Sequence, residues 1–115
     1  MAQTPRLGLA LLAAAQAQKH VTHNEALACL DGLVQASVVS TDAQTPPANP
    51  QEGDAYLVSA TPTATGGFAG QALNLAYFIN ASWRFMVPQN GWLVFVRASA
   101  SFAVFYGGAW HGLDE

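Results

Sequence analysis

The sequence predicts an α+β fold: an extended N-terminal arm, one helix, then a small, mainly antiparallel β-sheet built from aromatic-rich hairpins. Three observations carry this. Leu27, Leu30, Leu33 and Val34 recur at the three-to-four-residue spacing of a single helical face. From Leu75 onward, short β-branched and aromatic runs alternate with the turn pairs Asn80-Ala81, Asn90-Gly91 and Gly107-Gly108. Between the two patterns lies Asp42 to Gly53, rich in proline and amides and almost without apolar content, which reads as a loop. Residues 1–20 form the arm and residues 21–115 one α+β domain.

Taken in order, the arm holds Pro5, alternating leucines at Leu7, Leu9 and Leu11, and an Ala-rich run to Ala17 with helical potential. The helix is expected to open at Thr22, because Thr22-His23-Asn24-Glu25 fits a capping box. The Thr hydroxyl would accept from the Glu25 N–H, and the Glu carboxylate would reach back to the N–H of Thr22. Gly32 weakens the far end, and the β-branched run Val34 to Ser40 predicts a change to strand. A short strand is expected over 54–58 and a second loop over 61–70, with Gly66, Gly67 and Gly70 as a flexible turn. Strands are expected over 75–79, 82–87, 92–96, 102–106 and 109–111. Ala76 to Trp83 resembles Ala103 to Trp110: each is an aromatic strand, a tight turn and a Trp. Two copies are too few for a solenoid and indicate a meander of hairpins.

At 115 residues the chain is one domain, with hydrophobic residues at 51% and charged residues at 10%, against about 25% charged in an average protein. So few charges leave large uncharged areas on the surface, which implies a partner or a homo-oligomer. The net charge is −3 and the cations are Arg6, Lys19, Arg84 and Arg97. Four scattered cations make no basic stripe, which argues against nucleic acid or an anionic lipid surface as partner. No apolar run reaches the roughly 18 residues of a membrane span. Leu7 to Ala15, followed by Ala15-Gln16-Ala17, has the outline of an export signal. Cleavage there would give a mature N-terminus near Gln16 or Gln18; the expectation is that the segment is kept and packs against something.

The search for chemistry yields little. His20, His23, Glu25 and Cys29 cluster in sequence, but a helix starting at Thr22 leaves His20 outside it, and a zinc site needs a more complete set. Cys29, near Asp31 and flanked by Leu27, Ala28 and Leu30, reads as a small core residue. The serines lack a nucleophile elbow, and Gly66 to Gly70 lacks the Lys and hydroxyl of a phosphate loop. Asn80-Ala81-Ser82 matches a glycosylation triplet inside a turn, and Glu52 with Asp54 reads as a solvated loop end. The expectation is no catalytic residue, no metal, no cofactor and no enzyme activity. The aromatics stay open among three roles: core, protein interface or glycan platform. Trp83, Trp92, Trp110 and Tyr106 are the candidates for the last two.

Several words together resemble a known family. They are Thr4 to Leu9, Gln16 to Leu27, Gly53 to Val58, Trp83-Arg84-Phe85, Pro88 to Trp92 and Gly107 to Trp110. They look like a bacterial domain family of formally unknown function found in tail-fibre and head-spike proteins of prophages and gene transfer agents. Gln16 to Leu27 is the most specific word, and the resemblance runs along essentially the whole chain. Family members often have Gly where Ala15 stands, and longer relatives continue into a fibre body. A chain that is the domain alone is then expected to be a base, collar or adaptor that seats a head spike or tail fibre. The resemblance implies a virion structural protein, made in the bacterial cytoplasm and then carried on the particle surface. It would form a homo-oligomer, a threefold or fivefold ring, touching capsid or tail proteins and a fibre or spike. Within the arm, Arg6, Leu7, Leu9, Lys19 and His20 are the expected contact residues. The rival expectation is a small glycan-binding module that contacts host capsule or cell wall.

Overall fold

A computed structural model describes residues 3–11, 19–60 and 63–113, with the backbone alone for 19–22. Leu12 to Ala17, which holds most of the Ala-rich run and the export-like cleavage pattern, lies outside the described residues, as do Asp114 and Glu115.

Among the described residues one α-helix, α1 (Lys19–Leu33), precedes seven strands: β1 (Ser37–Val38), β2 (Ala55–Leu57), β3 (Leu75–Ile79), β4 (Ser82–Met86), β5 (Leu93–Val96), β6 (Ser101–Tyr106) and β7 (Ala109–Gly112). The fold is α+β and mainly antiparallel, but the strands form two sheets, ordered β2-β3-β4 and β1-β5-β6-β7. Pro88 to Gly91 therefore carries the chain from one sheet to the other and closes no hairpin. Only Gly91 of the Asn-Gly pair has a positive φ, at 96°, and the Trp92 N–H donates to the Gln89 carbonyl at 3.1 Å. That is a type II turn, where glycine is wanted at the third position alone.

The short β1 lies parallel to β5, and the segment after it stitches the sheets together. Val39 N–H donates to Ala55 O at 2.7 Å, and Ala43 N–H to Leu57 O at 3.0 Å. The two hairpins closed by two-residue turns repeat one device. Phe78 stands opposite Trp83 across the Asn80-Ala81 turn, with ring centroids 5.1 Å apart. Phe105 stands opposite Trp110 across Gly107-Gly108, with centroids at 5.3 Å. Both turns place positive φ at both central residues, the geometry that matches the twist of paired strands. The internal likeness seen in the sequence is thus a repeated cross-strand aromatic pair.

The helix departs from expectation at its start and in part of the face it buries. It begins at Lys19, so Thr22 lies inside it and not at the N-cap position. Glu25 stands 3.9 Å from Arg84 in an exposed ion pair instead. Its buried positions are Ala28, Asp31 and Gly32, whereas Leu30 and Val34 are 48% and 43% exposed. The reason is distance: a Cβ on Gly32 would lie 2.9 Å from Tyr77 Cδ2 and 3.1 Å from Met86 Cε. The helix rests so close on β3 and β4 that no side chain fits at Gly32, while Cys29 and Leu33 pack half-buried against the main core.

Leu75, Tyr77 and Ile79 of β3 join Val38, Leu57, Val94 and Val96 in the main core, between helix and sheets. The other face of β3 is covered by the loop over 63–70. There a 3-10 turn, Gly66–Phe68, drives a fully buried Phe68 against Trp83 and Phe85. The segment expected as a flexible turn is a plug for a second, smaller core.

Candidate functional site

The most organised polar cluster centres on Asp31, on the last turn of α1 and 0% exposed. Its carboxylate accepts from Thr4 Oγ1 at 2.6 Å, from the backbone N–H groups of Arg6 at 2.9 Å and Leu7 at 2.6 Å, and from the Tyr77 hydroxyl. The arm is shaped for this. Thr4 N–H donates to Leu9 O at 3.0 Å, Gly8 N–H returns to Thr4 O at 3.1 Å, and Leu9 N–H donates to Thr4 Oγ1 at 2.9 Å. This tight loop, with Gly8 at φ 71°, aims two consecutive backbone N–H groups at one carboxylate.

Arg6 completes the clasp from outside. Its guanidinium donates to the carbonyls of Asp31, Val34 at 3.2 Å and Gln35 at 2.6 Å. Helices end with carbonyls that lack internal partners, and a cation there meets the negative end of the dipole. Arg6 is therefore the C-terminal cap of α1, supplied from another part of the chain. Gly53, at φ 95°, lies against it: a Cβ there would sit 3.4 Å from Arg6 Cγ and 3.6 Å from Pro5 Cβ.

Burial pushes the Asp31 carboxyl up, and the bonds from Thr4, Tyr77, Arg6 and Leu7 outweigh burial, holding it below its ordinary value. Burial, then the Asp31 bond and charge, push the Tyr77 phenol well above its own. The pair is a carboxylate and a neutral phenol across working pH. The carboxylate accepts four bonds and the phenol donates one, all within the chain, so the pair's chemistry is that of a fastener.

The expected site residues scatter. Arg6 is in the clasp, Leu7 and Leu9 are half-buried on the arm loop, and Lys19 and His20 begin α1 with side chains outside the described residues. Trp83 is half-buried against Phe68, Tyr56 and Phe78. Trp92 and Trp110 are half-buried against the main core, and the Trp110 indole N–H donates to Leu73 O at 2.8 Å. Tyr106 is 52% exposed and stacks on His111 at 3.8 Å. Cys29 is half-buried against the core. Among the described residues no group of three or more His, Cys, Asp or Glu could hold a metal ion.

A shallow cleft of about 440 Å³ opens beside Trp110, lined by Thr41, Asp42, Ser99 and Ser101 among others. The Ser99 and Ser101 hydroxyls are 2.7 Å apart. Sequence reasoning missed both Asp31 and this cleft. The one local sign of the clasp was a carboxylate sharing a helical face with Ala28 and beside Gly32.

A family described as "protein of unknown function (DUF2793)" matches residues 23–111. The chain belongs to that family. The matched stretch holds most of the helix and both sheets, with Asp31 and Tyr77, while Thr4, Arg6 and Leu7 lie ahead of it. No curated protein matches the chain, and no solved structure does.

Proposed function

We propose that the chain is a structural subunit of a phage-like particle, a gene transfer agent or prophage, acting as a base or adaptor that seats a head spike or tail fibre. Its support is the ordered set of words by which the chain resembles a family expected in tail-fibre and head-spike proteins, together with a surface that suits assembly. Four cations and seven carboxylates serve the whole chain, while Val87, Leu93, Phe102, Tyr106 and Leu113 are each close to half exposed or more. That combination favours contact with other subunits. The reading involves no catalytic step and no cofactor. It places the protein in the bacterial cytoplasm when made and on the particle when assembled, as a homo-oligomer such as a threefold or fivefold ring. Among the described arm residues, the folded-back loop leaves Leu7 and Leu9 half-buried and free to contribute to a neighbour contact, with Lys19 and His20 as further expected contacts. Immunogold labelling of purified particles under the electron microscope tests this. Gold at vertices or the tail tip is expected; absence from particles overturns it.

The cleft beside Trp110 favours a second reading, a module that binds host polysaccharide. An indole wall suits the apolar face of a sugar ring, and the Asp42 carboxylate and the serine and threonine hydroxyls suit its hydroxyl groups. Addition of capsular polysaccharide should then change the Trp emission, and Trp110→Ala should abolish that change. An unaltered spectrum removes this reading.

A further inference from the structure

We propose that the outer face of the four-stranded sheet is the surface through which copies of this chain associate. Strand alternation sends Val94, Val96 and Ala103 into the core and puts Leu93, Phe95, Phe102, Val104, Tyr106 and His111 on the opposite face. The register makes that face continuous. Leu93 stands beside Val104, which stands beside His111, and Phe95 stands beside Phe102, their rings 5.2 Å apart. Leu93 is 48%, Phe102 46% and Tyr106 52% exposed, and Leu113, just beyond β7, is 57% exposed. A groove of about 370 Å³ lined by Gln35, Ala36, Leu93, Phe95 and Phe102 indents one edge, a recess that a partner's side chain can fill.

Charge and size select a second copy as the occupant. None of the six outward residues is Asp, Glu, Lys or Arg, and Asp42 borders the face in the cleft it shares with Phe102 and His111. The chain has a net charge of −3, and two copies brought together elsewhere would oppose like charges. Here they meet through a surface whose charge is confined to Asp42 at its border, with Glu25 on α1 and Glu52 at the β3–β4 turn kept away. A free leucyl or aromatic side chain offers about 150–250 Å², so Leu93, Phe102, Tyr106 and Leu113 together expose about 400 Å². Two such faces bury about 800 Å² before Phe95, Val104 and His111 are counted. With those the contact reaches the roughly 1,000–1,200 Å² at the lower bound of specific interfaces. The same face serves a two-fold pair or several sheets converging on one axis.

This deepens the particle-subunit reading and rests on it for its purpose, yet its test is separate. Light scattering coupled to size exclusion, at high micromolar protein, reads the mass of wild type, of Leu93→Lys/Phe102→Lys, and of Leu30→Lys/Val34→Lys on the exposed side of the helix. Wild type and the helix variant are expected as oligomers of equal mass. The sheet variant is expected as a monomer with unchanged circular dichroism, its association weakened at least tenfold. If the double variant misfolds, Tyr106→Lys alone at the exposed strand end should weaken association in the same direction. A monomeric wild type, or a folded sheet variant as oligomeric as wild type, overturns the inference. A monomer that still labels particles removes this contact and keeps the particle reading; an oligomer absent from particles does the reverse.

Discussion

Replacing Asp31 by Ala should unfasten the arm and remove a large part of the protein's stability. The carboxylate is 0% exposed and accepts from Thr4, Arg6, Leu7 and Tyr77. A hydrogen bond to a charged group contributes about 1.5–3 kcal/mol net. Three of the donors belong to the arm and regain water as it peels away, so their loss is partly offset. The Tyr77 hydroxyl cannot move: its ring is 0% exposed and is wedged under Gly32. Stranding that donor adds about 1–3 kcal/mol. The sum is about 3–5 kcal/mol, the range for removing one partner of a buried charged contact, against about 5–15 kcal/mol for a whole domain. Urea unfolding followed by Trp emission measures the loss. Trypsin measures the arm, because its bond after Arg6 is shielded while that guanidinium caps the helix. In Asp31→Ala the first cut, read by intact mass, should fall after Arg6. A loss below about 1 kcal/mol, with Arg6 still protected, would refute the clasp.

Further outcomes follow from the same geometry. Asp31 is held below the ordinary 3.8 of a carboxyl, so its contribution is full above that value and fades as pH falls through the lower folded-state value. The stability gap between wild type and Asp31→Asn should be flat above about pH 5 and close in stronger acid; a gap that widens on acidification contradicts the assignment. Gly32→Ala gains about 1 kcal/mol of helix propensity. It drives a methyl to 2.9 Å from a Tyr77 ring that its Asp31 bond fixes, and a net loss of about 1–3 kcal/mol is expected in urea unfolding. Ala81 sits at φ 60° in the β3–β4 turn, where an L-residue is strained by about 1–2 kcal/mol. Ala81→Gly should therefore raise the melting temperature, provided the Glu52 carboxylate keeps its bonds to the Asn80 and Ala81 N–H groups at 2.7 and 2.9 Å.

The strands from Leu75 to Gly112 were legible to within about a residue because their signals are local: β-branched and aromatic runs, ended by residues that tolerate positive φ. The helix shows where local signals stop. Its leucines mark a buried face, and Leu33 does pack against the core, but Leu30 is half exposed, because the closest approach of Tyr77 and Met86 falls at Gly32. Thr22-x-x-Glu25 fits a cap in isolation, yet the helix starts at Lys19. Asp31 looked like an ordinary polar residue, since its partners Thr4, Arg6 and Tyr77 lie 27, 25 and 46 positions away.

By itself, then, the sequence determined what neighbouring residues decide among themselves: the α+β class, the order of elements, the hairpin turns and a surface poor in charge. Tertiary structure alone decided how those pieces meet. It split the strands into two sheets at Pro88–Gly91, laid β1 parallel to β5, and turned a small-residue face of the helix inward. It also closed the arm over a buried carboxylate. Each of these depends on contacts between residues far apart in the chain, whose free energies exist only once the surrounding groups are packed and water is excluded.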